Sequence, residues 1–143
     1  MKNIALKALL WTTLIALAAP MALAEATASP EPAPTLPPAP GYVLVTAGGQ
    51  SGWLPLPEEG EYTYHLRQIL PDGTVADNAV HLSPEGVYME DATCDNHDCV
   101  QQGEVTFDNR EDRILGSMII CLPNQVMLEL FSVDEAMAMI AGK

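Results

Sequence analysis

Three cysteines and one histidine are the residues of this 143-residue chain whose types and spacing suit chemistry at a site. Cys94, His97 and Cys99 lie in the stretch CDNHDCVQQG (94–103), and Cys121 follows further along the chain. Thiolate sulfur and imidazole nitrogen are common zinc ligands, and three cysteines with one histidine make a tetrahedral set. One interpretation is therefore a zinc site formed by Cys94, His97, Cys99 and Cys121.

The same cysteines also fit a disulfide, or a redox pair with a third thiol. Outside the cytoplasm a disulfide is the default, and an odd number of cysteines leaves one thiol over. Loop-closure entropy separates the three pairings of Cys94, Cys99 and Cys121 by only about 1 kcal/mol, which is less than typical geometric strain. We expect structural cysteines without a metal or cofactor. Zinc binding and thiol exchange at these residues are the alternatives.

The remaining motifs carry no enzyme signature. GQSG (49–52) is not the G-x-S-x-G of serine hydrolases, and DNHD (95–98) lacks the glycine and the terminal glutamate of an EF-hand loop. No glycine-rich phosphate loop occurs in the sequence. We therefore expect a non-enzymatic protein.

The first 24 residues have the pattern of an export signal. Lys2 and Lys7 lead into an apolar run over residues 8–24, which ends in an A-x-A cleavage sequence. The competing interpretation is an uncleaved membrane anchor, because a run of 17 residues is at the short end of what spans a bilayer. We expect residues 1–24 to be a signal peptide. The protein would then be secreted, periplasmic or held at the cell surface, with membrane contact only if the signal stays uncleaved.

Residues 25–40 read as a disordered linker. Six of these 16 residues are proline, and the segment has too little apolar surface to offset the entropy of ordering it. Removing residues 1–24 also leaves four basic residues against all 19 acidic ones, a net charge of −15. Because a chain with this negative charge repels phosphate backbones, we expect no nucleic-acid partner.

Residues 41–131 contain short apolar runs separated by turn residues. Seven or eight such runs, among them YVLVT (42–46) and QVMLELF (125–131), predict β-strands. EYTYHLRQI (61–69) alternates with period two and predicts a strand with one buried face. About 90 residues suffice for one small core. The predicted fold class is all-β, a small sandwich or barrel of about seven or eight short strands.

Residues 132–143 predict a short C-terminal helix. Ser132 with Glu135 three residues later forms a capping box, and good helix formers follow. We expect this helix to cover an open edge of the sheet, with Met137 and Ile140 on its buried face.

Several stretches of residues 52–131 resemble the NusG domain II family. They are WLPLP (53–57), DNAVHLSPEGVYMEDATC (77–94), CVQQGEV (99–105) and IICLPNQVMLEL (119–130). The specific part is the order Cys, then Cys-Val-x-x-Gly, then Cys-Leu-Pro-Asn. The resemblance implies a β fold and a cluster of three family cysteines at Cys94, Cys99 and Cys121. It implies no reaction.

Two hypotheses about function follow from these observations. The first is an exported, non-enzymatic β-module that binds another protein of the cell envelope or the extracellular space. The second is a thiol-redox or metal-handling protein that uses Cys94, Cys99 and Cys121. The chain is acidic, carries an export signal and shows no match to the RNA-polymerase-binding and KOW domains of NusG. We therefore expect no role in transcription.

Overall fold

The computed structural model describes residues 35–142, so the predictions for residues 1–34 lie outside the described residues. Residues 35–40 carry neither helix nor strand. Between residues 35 and 142, no helix is long and apolar enough to cross a membrane. The elements in chain order are β1 (Gly41–Ala47), β2 (Gln50–Pro55), β3 (Tyr62–Ile69), β4 (Val75–Leu82), β5 (Gly86–Ala92), α1 (Asp98–Gln101), β6 (Val105–Thr106), β7 (Met118–Cys121), β8 (Val126–Ser132) and α2 (Val133–Ile140).

The eight strands form two four-stranded antiparallel sheets. One sheet has the order β2-β1-β8-β7 and the other the order β3-β4-β5-β6. Buried side chains from both sheets make one core, because successive residues of a strand point to opposite faces. In β8, for example, Val126, Leu128 and Leu130 are buried as their spacing predicts. The structure is thus a small β-sandwich, which confirms the predicted fold class.

Strand β3 departs from the prediction of one buried face. It pairs only with β4 and forms the edge of its sheet, and nearly all its side chains are exposed. Tyr62 and Tyr64 are each 38% exposed, while Leu66 and Gln68 are half-buried. Period two shows which side chains share a face. It does not show how far the opposite sheet covers that face, and here β3 is covered only in part, at Leu66 and Gln68.

The C-terminal helix begins as predicted. Ser132 is the N-cap of α2, its hydroxyl accepts a hydrogen bond from the Glu135 N–H, and the Glu135 carboxylate accepts one from the Ser132 N–H. The predicted packing is wrong. The helix contacts the central strands β8 and β1, with Ala136 buried, Ile140 half-buried and Met137 43% exposed. This helix of two turns packs against the sheet through the small residue Ala136, and it does not cover a sheet edge.

The carboxylate of Glu135 makes stability depend on pH in the acid range. Arg110 Nη1 donates to Glu135 Oε2 over 2.7 Å, and the Ser132 N–H donates to the same oxygen over 2.8 Å. These bonds, that of Arg110 above all, lower the pKa of Glu135 from 4.5 to about 2. Because the folded pKa lies below the unfolded one, the stabilisation is complete above the unfolded pKa. It is lost as pH falls through the folded pKa.

We expect the wild-type free energy of unfolding to fall by about 1 kcal/mol more than that of Glu135→Gln when the pH drops from about 5 to about 2. The effect is small because the Glu135 side chain is 44% exposed and solvent screens the pair. Urea unfolding over this pH range measures it. Asp134→Asn, which removes a carboxylate from the same helical turn, serves as the control and should follow the wild type. Parallel pH curves for wild type and Glu135→Gln would contradict the assignment.

Candidate functional site

All three cysteines meet inside the sandwich. The sulfur atoms of Cys94, Cys99 and Cys121 lie within 4.8 Å of one another, and the Cys94 and Cys99 sulfurs are 3.6 Å apart. Each residue is a buried free thiol. The sequence left open which two cysteines meet, and the structure brings all three together. We call Cys94, Cys99 and Cys121 the three-cysteine cluster.

Cys121 reaches the cluster through the regular alternation of β7. Ile119 and Cys121 are both buried, while Met118 and Ile120 are half-buried. Since side chains two residues apart share a face, Cys121 points into the core with Ile119. This position was readable from the sequence.

Cys94 reaches the cluster because β5 contains a bulge. Met89 pairs with Val80 and Asp91 pairs with Ala79, which leaves Glu90 without a partner in the register. A bulge adds one residue and exchanges the faces of the residues that follow it. Val87 and Met89 are buried before the bulge, and Ala92 and Cys94 are buried after it. Under unbroken alternation from Val87 the Cys94 side chain would point to solvent.

Cys99 is returned to the cluster by a tight turn. His97 has φ 51° and ψ 22°, in the left-handed region that non-glycine residues seldom adopt. Its carbonyl accepts hydrogen bonds from the Val100 and Gln101 N–H groups over 3.0 and 3.3 Å, which starts α1. The reversal at His97 thus places Cys99, the buried residue of α1, opposite Cys94.

His97 itself is not part of the cluster. Its side chain is 51% exposed, and Nε2 lies 3.9 Å from Asp91 Oδ1 on the outside of the domain. In the described part of the chain the group of potential metal ligands at this site consists of the three sulfurs alone. The structure brings the three cysteines of the alternative Cys₃His set together but does not place His97 with them. The turn uses the His97 backbone, and its imidazole points away.

Gln102 holds α1 against the edge strand β7. Its Nε2 donates to the Ile120 carbonyl over 2.7 Å, and its Oε1 accepts from the Ile120 N–H over 2.8 Å. The side-chain amide thereby pairs with β7 as a neighbouring strand would. Gln102 is three residues after Cys99, and Ile120 directly precedes Cys121, so this pair fixes the distance between the two thiols. Sequence analysis missed Gln102, although it lies in the family stretch CVQQG.

Two buried asparagines join the sheets close to the cluster. Asn124 Nδ2 donates to Asn78 Oδ1 over 2.9 Å and to Thr93 Oγ1 over 3.4 Å. Asn78 in turn donates to the Met89 sulfur over 3.4 Å. Buried amides need such partners because an unpaired one costs about 1–3 kcal/mol. The sequence stretches DNAV and CLPN therefore meet through their asparagines, a contact that sequence analysis did not foresee.

The surroundings keep the thiols of Cys94 and Cys99 protonated at neutral pH. Burial raises the pKa of the Cys99 thiol, and its contacts with Cys121 and Cys94 raise it further. Burial also raises the pKa of Cys94. A thiol with a raised pKa is a poor nucleophile because the thiolate is the reactive form. A metal ion that binds here has to displace thiol protons.

A cavity of about 260 Å³ opens beside Cys99 and Cys121. Its lining includes Asp98 and the apolar side chains of Leu115 and Leu122. Leu122 is 80% exposed, so the rim of the cavity presents apolar surface to solvent. The cavity therefore lies next to two of the three buried cysteines of the cluster.

Fold and site together define a small all-β sandwich domain with three convergent cysteines. The family model of NusG domain II matches residues 37–134, which is more than half of the chain. The chain belongs to the NusG domain II family. The cluster of Cys94, Cys99 and Cys121 that the resemblance implied is confirmed. Comparison with curated proteins gives no match.

Two solved structures of one protein support the fold assignment. The Lin0431 protein of Listeria innocua is similar in its crystal structure, with a TM-score of 0.50, 17% identity and coverage of 65% of this chain and 97% of that one. Its solution NMR structure is similar with a TM-score of 0.51, 17% identity and coverage of 69% and 80%. A DUF1312 family protein from Ruminococcus gnavus ATCC 29149 matches at 26% identity with a TM-score of 0.39, covering 64% and 99%. At 17% identity, the likeness to Lin0431 concerns the fold alone.

Proposed function

We propose that this protein is an exported, non-enzymatic β-module that binds a soft metal ion through Cys94, Cys99 and Cys121. The single observation that carries the proposal is the convergence of three buried thiols within 4.8 Å. The export signal in residues 1–24 supports a location in the envelope or outside the cell.

The distances in the cluster suit a metal ion. Three sulfurs bound at about 2.3 Å to a central ion lie about 4 Å apart in a plane, and slightly closer in a tetrahedron. The observed 3.6 Å between Cys94 and Cys99, with all three sulfurs within 4.8 Å, needs only small side-chain adjustments to reach this geometry. Thiolate ligands favour zinc and monovalent copper over hard cations such as Mg²⁺.

Thiol exchange is less well supported than metal binding. It starts from a thiolate, and burial raises the pKa values of both Cys94 and Cys99. The Cys94–Cys99 pair is nevertheless close enough to form a disulfide after a small movement, with two protons and two electrons passing to a disulfide oxidant. Such a disulfide would remove two of the three metal ligands, so the two states exclude each other.

An interaction domain for another envelope protein is the second candidate function. It is supported by the exposed apolar side chains of Ile114, which is fully exposed, and Leu122 at the rim of the cavity. Isolated exposed apolar side chains are common, but larger apolar patches mark binding surfaces. The strong negative charge favours a basic protein partner and disfavours nucleic acid.

One experiment on the protein recovered from its native compartment tests the proposal. Thiols are alkylated before and after denaturation with a chelator, and again after reduction. Mass spectrometry and metal analysis then identify the products. We expect one metal ion per chain, three cysteines that react only after denaturation with the chelator, and an N-terminal peptide that begins at Glu25. A Cys94–Cys99 disulfide without metal would refute the metal site. A partner protein cross-linked near Ile114 in the same sample would favour the second candidate.

A further inference from the structure

We infer that the three-cysteine cluster takes monovalent copper rather than zinc. This inference rests on the proposed function and names the ion for that site. The ligand atoms that lie together in the described residues are three sulfurs, without an imidazole nitrogen or a carboxylate oxygen. An all-sulfur set is the softest that a protein offers, and of the two ions that thiolates favour, Cu⁺ is soft whereas Zn²⁺ is only borderline soft.

The number of ligands distinguishes the two ions. Structural zinc sites are almost always four-coordinate, whereas Cu⁺ is satisfied by two or three thiolates. The imidazole of His97 points to Asp91 on the surface. Asp98 lines the cavity beside Cys99, but its Oδ2 accepts a hydrogen bond from Asn96 Nδ2 over 2.6 Å. A fourth protein ligand would require one of these side chains to leave its present partner.

The buried charge does not favour either ion. A Zn²⁺ ion with three thiolates carries a net charge of −1, and so does a Cu⁺ ion held by two thiolates while the third cysteine of the cluster stays a protonated thiol. The desolvation penalty of the complex is therefore similar for the two metals. The number and softness of the available ligands then decide, and both favour copper.

The cavity makes the cluster accessible without unfolding. It adjoins Cys99 and Cys121 but is not lined by Cys94, so an ion can enter and leave past the two former sulfurs. The side chains of Leu115 and Leu122 in its lining offer no ligand, and the Asp98 carboxylate there is hydrogen-bonded to Asn96. We therefore expect copper to exchange with an external chelator while the domain stays folded.

The inference is tested on the reduced protein with an intact chain, which competes with a chelator for each metal ion. Under oxygen-free conditions, Cu⁺ is offered in competition with a chromophoric Cu⁺ chelator and Zn²⁺ in competition with a zinc chelator. X-ray absorption reports the ligand atoms. We expect one Cu⁺ per chain with sulfur ligands only, and a zinc affinity at least about a thousandfold weaker. His97→Asn and Asp98→Asn should leave the copper affinity unchanged, and circular dichroism checks that both variants are folded.

The outcomes separate this inference from the proposed function. Zinc bound as tightly as copper, with an affinity that falls in His97→Asn or Asp98→Asn, would overturn the copper assignment and leave a metal site at the cluster. Failure of the reduced, folded protein to bind either ion would refute both. Copper bound with nitrogen or oxygen ligands would also overturn the inference, because the cluster supplies only sulfur.

Discussion

Replacement of Cys121 by serine is expected to weaken binding of a soft metal ion at least about a hundredfold. Bound structural zinc contributes about 10–16 kcal/mol in total, so one of three sulfur ligands accounts for on the order of 3 kcal/mol or more. About 3 kcal/mol corresponds to a hundredfold change in affinity. Competition with a chromophoric chelator measures the change. Cys121 is the most informative choice because it comes from the opposite sheet to the strand that leads into Cys94.

The test has to separate a lost ligand from a damaged fold. Cys121 is only 1% exposed, and a hydroxyl at this position lowers stability by about 1–2 kcal/mol if it finds no partner. Cys121→Ala avoids that hydroxyl and should lose the same metal affinity. His97→Asn is the matched control, since asparagine tolerates the left-handed backbone of the turn and the imidazole lies outside the cluster. A folded Cys121→Ser protein with unchanged affinity would exclude the cluster as the metal site.

Replacement of Gly86 by alanine is expected to destabilise the domain by about 3 kcal/mol. Gly86 begins β5 and pairs with Thr106 of the two-residue strand β6. A Cβ atom on Gly86 would lie 2.1 Å from the Val105 carbonyl oxygen and 3.0 Å from its carbon. Because the atoms that this Cβ would meet belong to the backbone, the alanine has to push β6 away. This movement withdraws the fully buried Val105 from the core.

Gly52→Ala is the matched control for this prediction. Gly52 also lies in a strand, β2, but a Cβ atom there would meet no heavy atom within 4 Å. Its backbone is compatible with alanine, so we expect stability to stay the same or to rise slightly, by up to about 1 kcal/mol. Urea unfolding of both variants gives the comparison. If the Gly86→Ala and Gly52→Ala variants were equally stable, β6 would be able to move away from residue 86 without a cost in free energy.

Much of the fold was predictable because local patterns carry it. Alternation identified β8, whose buried face of Val126, Leu128 and Leu130 is the one expected. The capping box at Ser132 and Glu135 identified the start of α2, since both partners lie within one turn of the helix. Each of these features depends on residues a few positions apart, and sequence spacing reports such neighbours directly.

The features that were mispredicted depend on how far one layer of the sandwich covers the side chains of the other. The tyrosines of β3 are exposed because the strand is an edge strand. Met137 is exposed because the short helix α2 packs through Ala136. Periodicity identifies the residues that share a face, but the extent of the opposing layer is a property of the assembled sandwich.

The cysteines of the candidate site were predictable from the sequence. It showed three cysteines and a family pattern that implies their clustering, and the alternation of β7 points Cys121 inward. The side chains that surround these cysteines could be known only from the folded chain. The bulge at Glu90 turns Cys94 inward, the bond pair between Gln102 and Ile120 sets the position of Cys99, and the turn at His97 sends its imidazole to the surface. The physical reason is that side-chain direction in a strand has period two. A single inserted residue therefore moves a ligand to the opposite face, and pairing between strands places that residue.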